Sequence, residues 1–203
     1  LIKKNFSNDH LIIFGVNKMN FEMKQFYNSM LVVDNNFEII QSYNKRKLVP
    51  FGEFLPFDKF FNKFGLKKIT EGRGSFLAGS KNKNIKIEKL NILPLICYEV
   101  IFTELIQKSD LETNIIINIS EDGWFGSSIG PDQHFVKSIF RAIENNTFFI
   151  RSANKGKSAI IDNKGNIIKE LNRNETGNLE FEVPLIKSKK IKNDLIFLIL
   201  LIT

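Results

Sequence analysis

At 203 residues the chain is long enough to bury a substantial core as one domain. Its single cysteine excludes an intrachain disulfide, and His10 and His134 lack cysteine or histidine partners at ligand spacing, which argues against structural zinc. The net charge of +7 comes from lysines dispersed along the chain. With no aromatic-interleaved basic motif and no recognition helix, that charge suits anionic lipid headgroups better than nucleic acid.

Residues 11–16, 30–33 and 37–40 are short apolar runs of strand type. The last two are joined by Asp34-Asn35-Asn36, a hairpin link in which Asn tolerates the positive φ of a tight turn. Residues 44–80 carry Pro50, Pro56, Gly52, Gly65, Gly72, Gly74 and Gly79, and are expected to be a loop-rich, functional stretch. Residues 85–88 alternate apolar and charged side chains as a half-buried strand does, and 90–96 run apolar up to Cys97. Helical character over 100–108 precedes a buried strand over 114–119 and a loop from Ser120 to Gly126. Pro131 suits the first turn of a helix. Phe135, Val136, Ile139, Phe140 and Ile143 then recur at helical spacing to about Asn146.

Further strands are predicted at 148–151, 158–162, 167–168 and 179–183, with Asn163-Lys164-Gly165-Asn166 as a hairpin turn. Strands alternating with helices, plus hairpins, predict a layered α/β or α+β domain over residues 1–186. Residues 187–203 differ: four lysines between 187 and 192 precede 195–202, which contain no polar residue. That run is shorter than the roughly 20 residues a bilayer crossing needs. It reads either as the start of a transmembrane helix or as a terminal core element.

Cys97 closes one apolar run and opens a helix-like one, so its thiol is expected at a sheet edge with first-turn N–H groups aimed at it. Such a setting favours a nucleophilic thiolate; a lone cysteine beside a buried strand is equally an inert core thiol. The polar segment 43–53, with Lys45 and Glu53, reads as an active-site loop or as exposed loop residues joined by a salt bridge. Cysteine, lysine and glutamate in these settings suggest covalent catalysis.

Several segments carry a closer likeness: Tyr43-Asn44-Lys45 through Leu48-Val49-Pro50-Phe51-Gly52-Glu53-Phe54, Ile96-Cys97-Tyr98-Glu99, Asp122-Gly123-Trp124-Phe125-Gly126, and Gly130-Pro131-Asp132-Gln133-His134. Arg141-Ala142-Ile143-Glu144 and Arg151-Ser152-Ala153-Asn154 also fit. In order along the chain they resemble the nitrilase-like domain of the apolipoprotein N-acyltransferase family. The resemblance implies part of a four-layer α-β-β-α sandwich carried on a membrane bundle of a bacterial inner membrane, with its active site facing the periplasm. It implies transfer of an acyl chain from a phospholipid to the N-terminal amine of a diacylglyceryl-cysteine apolipoprotein, without metal or organic cofactor.

By that resemblance Cys97 is the nucleophile that becomes a thioester. Lys45 stabilises the thiolate and the oxyanion, and Glu53 is a second active-site glutamate. Tyr98 and Glu99 adjoin the nucleophile on the substrate side, although Glu99 also suits a solvated first helical turn. Trp124 and Phe125 either line an acyl groove or belong to the core, and His134 reads as structural. The family's general-base glutamate lies upstream of its lysine, and neither Glu22 nor Glu38 fits that motif. The chain is therefore expected to be a C-terminal piece, inactive and incompletely packed alone. A soluble amidase with water as acceptor, and an inactive fragment, are the competing readings.

Overall fold

The computed structural model describes residues 6–7, 9–54, 76–80, 84–107 and 112–186. Strands β1 (Ile12–Asn20), β2 (Gln25–Val33) and β3 (Ile39–Asn44) form an antiparallel sheet in that order. A second sheet has six strands in chain order: β4 (Ile85–Ile87), β5 (Leu90–Ile96), β6 (Ile115–Glu121), β7 (Phe148–Asn154), β8 (Ser158–Ile161) and β9 (Ile167–Leu171). Its centre, β5-β6-β7, is parallel, and β4, β8 and β9 flank it antiparallel. Helices α1 (Thr103–Gln107) and α2 (Gly130–Asn145) lie in the two crossovers between the parallel strands.

Neighbouring residues of β5 and β6 are buried on opposite faces, which is why these strands read as unbroken apolar runs rather than alternations. Ile92, Ile96 and Ile115 meet Met30 and Val32 of β2 and Tyr43 of β3, joining the two sheets face to face. Leu93, Leu95, Ile116 and Phe149 point the other way, against Phe135 and Ala142 of α2 and Leu105 and Ile106 of α1. Helix, six-stranded sheet and three-stranded sheet are thus three of the four expected layers. A fourth, outside the small sheet, is not among the described residues. Pro94 is tolerated inside β5 because pairing with β4 stops at Ile92.

The long helix forms as its spacing predicts, with Pro131 in the first turn and Asn146 as a left-handed cap at φ 50°. The helical stretch predicted over 100–108 divides instead: a 3₁₀ turn over Cys97–Ile101, an extended Phe102, then α1. The Phe102 N–H folds back onto the Glu99 carbonyl at 3.1 Å and closes the first turn. Residues 179–183 form no strand. Phe181 stacks on Phe148 with ring centroids 6.0 Å apart and Val183 packs on the intersheet core, so the apolar spacing there reports packing without a ladder. No helix among the described residues is long and apolar enough to cross a membrane, and the predicted membrane segment at 187–203 lies outside them.

The hairpin between β2 and β3 reverses at an unexpected residue. Asp34 Oδ1 accepts the N–H groups of Asn36 and Glu38 at 2.8 and 2.9 Å. With both N–H groups held, the positive φ falls on Phe37, at 63°, rather than on an asparagine. A left-handed conformation costs a non-glycine residue about 1–2 kcal/mol. Phe37→Gly is therefore expected to raise the unfolding free energy by about 0.5 kcal/mol, net of the glycine's own entropy. A urea titration checks this; a fall would show that the packing of the ring outweighs its strain.

Candidate active site

Cys97 sits where β5 gives way to the 3₁₀ turn, at the carboxyl end of the parallel strands, with φ at +49°. A non-glycine residue held there is strained and must be fixed by its surroundings. The side chain is half-buried, and Sγ lies 3.8 Å from the Glu121 carbonyl oxygen at the end of β6. The helix expected behind it is this single five-residue turn, which supplies first-turn N–H groups without the length of a full α-helix.

Lys45 follows β3 and is buried, its side chain 1% exposed. Nζ donates to both Glu53 oxygens, at 3.0 Å to Oε1 and 2.8 Å to Oε2. Glu53 also accepts from Asn28 Nδ2 at 2.8 Å and from the Val49 N–H at 2.8 Å, so the carboxylate closes its own loop around the ammonium. The lysine backbone is tied on both sides: its N–H donates to the Asn28 carbonyl, and its carbonyl accepts from the Gly79 N–H, both at 2.8 Å. A Cβ on Gly79 would stand 2.3 Å from the Asn44 oxygen, so this approach requires glycine.

The two halves meet at Glu99. Its side chain is fully buried. Oε1 accepts the N–H groups of Arg46 and Lys47 at 2.7 and 3.1 Å, and Oε2 accepts that of Ile96 at 2.9 Å. The Tyr43 hydroxyl donates to the same carboxyl group, 2.8 and 2.9 Å from its two oxygens. One carboxyl group therefore holds the residue after Lys45 and the residue before Cys97. Burial pushes the Glu99 carboxyl up, against the three N–H groups and the phenol, which favour its charged form. The Tyr43 phenol is pushed up by burial and by Glu99, with Arg46 opposing.

On the other side of Cys97 lies a second buried polar group. His134 Nε2 is 3.1 Å from the Cys97 carbonyl oxygen, and Nδ1 is 3.0 Å from Asp122 Oδ1. Arg151 Nη2 donates to Asp122 Oδ2 at 2.6 Å and lies 3.1 Å from His134 Nδ1. Arg151 Nη1 reaches Asn118 Oδ1, and Asn118 Nδ2 donates to the Leu95 carbonyl at 3.0 Å. Burial alone would raise the Asp122 carboxyl. The bond from His134, the Arg151 guanidinium and the Ser120 hydroxyl reverse that and hold it at about 2.

Of the remaining predicted residues, Tyr98 is half-buried edge-on to Phe102, with ring centroids 5.3 Å apart. Trp124 is 69% exposed. Phe125 is half-buried and tilted against the His134 ring at 5.5 Å. An open groove of about 450 Å³ runs along the carboxyl ends of β6 and β7, lined by Glu121, Gly123, Asn154, Lys155 and Arg173 among others. It adjoins Cys97 through Glu121, whose carbonyl touches the sulfur. No group of three or more His, Cys, Asp or Glu residues among those described could hold a metal ion.

Residues 7–192 match the carbon-nitrogen hydrolase family. The chain belongs to that family. It is 40% identical over 160 residues to apolipoprotein N-acyltransferase from Rhizobium leguminosarum bv. trifolii, covering 78% of this chain and 30% of that protein. To the Rickettsia typhi protein of the same name it is 40% identical over 183 residues, covering 89% and 36%. The chain thus spans about a third of the length of these curated relatives. Two solved structures share the fold: a Helicobacter pylori carbon-nitrogen hydrolase (TM-score 0.63, 16% identity, 82% of this chain and 59% of that one) and Saccharomyces cerevisiae Nit3 (0.60, 18%, 80% and 55%).

Sequence reasoning left Glu121, Lys155 and Arg173 out of the site altogether, and gave Asn118, Asp122 and Arg151 no role. Asn118 among isoleucines and Arg151 after Phe148-Phe149-Ile150 were the available signals. A polar side chain inside a buried strand needs a partner.

Glu99→Gln replaces an accepting oxygen with an amide and faces it with an N–H or the phenol. The variant is expected to lose about 2–4 kcal/mol, from one lost bond and one unsatisfied buried donor, read from urea titrations. For Asp122 the folded value lies below the ordinary one, so its stabilisation is present above about pH 4 and lost as pH falls through about 2. Titrations at acid pH are expected to show a steeper loss for the unmodified protein than for Asp122→Asn.

Proposed function

We propose that this domain transfers an acyl chain from a phospholipid, through a Cys97 thioester, to the N-terminal amine of a diacylglyceryl-cysteine apolipoprotein. The geometry carrying this reading is the single carboxyl group of Glu99, bonded to the backbone beside both Lys45 and Cys97. It ties together the two backbone segments that carry a buried ammonium and a half-buried thiol. Relatives at 40% identity named apolipoprotein N-acyltransferase support these substrates within the broader family.

In the first half-reaction the Cys97 sulfur attacks the donor ester carbonyl, with its proton passing to a base. Negative charge develops on the carbonyl oxygen, where the Lys45 ammonium is the fixed counter-charge. The C–O bond breaks, and the lysophospholipid leaves as an alcohol after taking up a proton. In the second half the acceptor amine attacks the thioester, gives up a proton and releases the Cys97 thiolate. Splitting the transfer this way produces ping-pong kinetics. In the family resemblance the general base is a glutamate upstream of the lysine. On this reading Lys45 and Cys97 are the catalytic residues, Glu53 and Glu99 position them, and Tyr98, Trp124 and Phe125 are assigned to contact with the acyl chain. The domain works at the periplasmic face of the bacterial inner membrane.

The test is the intact mass of the full-length protein after incubation with phospholipid, beside Cys97→Ala and Lys45→Met. An acyl-sized, hydroxylamine-labile gain is expected, absent in Cys97→Ala. It should form about 10²–10³-fold more slowly in Lys45→Met, the loss typical of one oxyanion partner. No adduct on folded protein overturns the reading. An adduct discharged by water but not by a diacylglyceryl peptide turns it into a hydrolase.

A further inference from the structure

We infer that His134 is a positioning residue that sets the oxyanion-binding geometry of the nucleophile, by fixing the peptide plane between Cys97 and Tyr98. The inference rests on Cys97 being the nucleophile, and on no particular acyl donor or acceptor.

The Cys97 carbonyl is an acceptor only, so a bond at 3.1 Å requires a proton on His134 Nε2. Two arrangements satisfy the other nitrogen. In neutral imidazole, Nδ1 accepts the second proton of Arg151 Nη2, at 3.1 Å. In imidazolium, Nδ1 donates to Asp122 Oδ1, at 3.0 Å. Both keep the Nε2 proton directed at the Cys97 carbonyl; the imidazolium also makes the bond to Asp122, which the neutral ring does not. The ring cannot swing away, because His134 is 4% exposed and both of its neighbours are buried. A Cβ on Gly156 would stand 2.1 Å from Asp122 Oδ2, so the loop after β7 closes over the carboxylate that holds the ring.

A trans peptide is planar, and its N–H points opposite to its C=O. Anchoring the Cys97 carbonyl toward His134 therefore aims the Tyr98 N–H away from the buried network. That N–H belongs to the first turn of the 3₁₀ segment, where backbone donors have no partner within the helix. It lies one bond sequence from the sulfur-bearing residue, where an oxyanion formed by attack of Sγ needs a donor. The positive φ of Cys97 makes this anchoring necessary. Glu99 restrains the strained residue from the Ile96 N–H, and His134 restrains it from the carbonyl. Without the second restraint the peptide is free to rotate toward an ordinary conformation, and the donor is lost while the thiol remains.

The experiment compares two reactions of Cys97 in the full-length protein, with adducts located by peptide mass. Acylation by p-nitrophenyl butyrate passes through an oxyanion; alkylation by iodoacetamide does not. His134→Ala is expected to slow acylation about 10- to 100-fold, somewhat less than outright deletion of an oxyanion donor, and alkylation by less than threefold. His134→Gln, whose amide N–H reaches toward the same carbonyl, is expected to recover most of the acylation rate. Equal acylation by His134→Ala and the unmodified protein overturns the inference and leaves the nucleophile standing. Equal slowing of both reactions, with a lowered Tm and no recovery in His134→Gln, overturns it in favour of a purely structural histidine. An unmodified protein that is alkylated but never acylated at Cys97 overturns the nucleophile and this inference together.

Discussion

A carboxyl group with no water contact is tolerable only when donors surround it, and Glu99 has collected them from three places. They are the end of β5, the loop after β3, and the Tyr43 ring on β3. The apolar contact between the sheets, through Met30, Val32, Ile85 and Ile92, is strong but non-directional. Such a surface tolerates small slides of one sheet on the other. Bonds of 2.7–2.9 Å to one buried group do not. The hydrophobic layer accordingly brings the sheets together, and Glu99 decides where along each other they stop.

The same division recurs on both sides of Cys97. Asp122 with Arg151 is an ion pair with no solvent exposure, and Lys45 with Glu53 is one in which the lysine is buried and the carboxylate 14% exposed. Such pairs are poor sources of stability compared with apolar groups of the same shape, because desolvation offsets most of their attraction. Removing one partner is nonetheless severe, about 3–5 kcal/mol, since it strands the other charge. This asymmetry suits a reactive centre. Each pair adds little to the folding free energy, but departures from its geometry are steeply penalised.

Legibility in the sequence followed what kind of force acts on each residue. Strands β5 and β6 and helix α2 were readable because burial acts on every side chain at a fixed period. The Cys97 turn was readable because an apolar run changes character there. Glu99 was not: its spacing suits a solvated first turn, and nothing nearby in sequence says that Tyr43, Arg46 and Lys47 lie opposite. Burial of Lys45 was hidden for the same reason, since its partners Asn28 and Gly79 come from other parts of the chain. The split at Phe102 and the absence of a strand at 179–183 show the limit of periodicity. Apolar spacing states which residues are covered, not whether their backbone is helical or paired.

Cys97 carries strain that a glycine would not, and yet a glycine has no sulfur to offer. A single residue in the left-handed region costs about 1–2 kcal/mol. A hydrogen bond contributes about 0.5–1.5 kcal/mol net and a buried donor left unmade costs about 1–3, so the Ile96 N–H on buried Glu99 is of the size needed to offset it. Having backbone anchors means the side chain itself needs none. Among the described residues its one contact of this kind is the weak 3.8 Å approach to the Glu121 carbonyl. A sulfur tied by strong bonds of its own would have to break them on attack. One positioned through its main chain keeps its lone pairs for the substrate, and the strained backbone is the cost of that freedom.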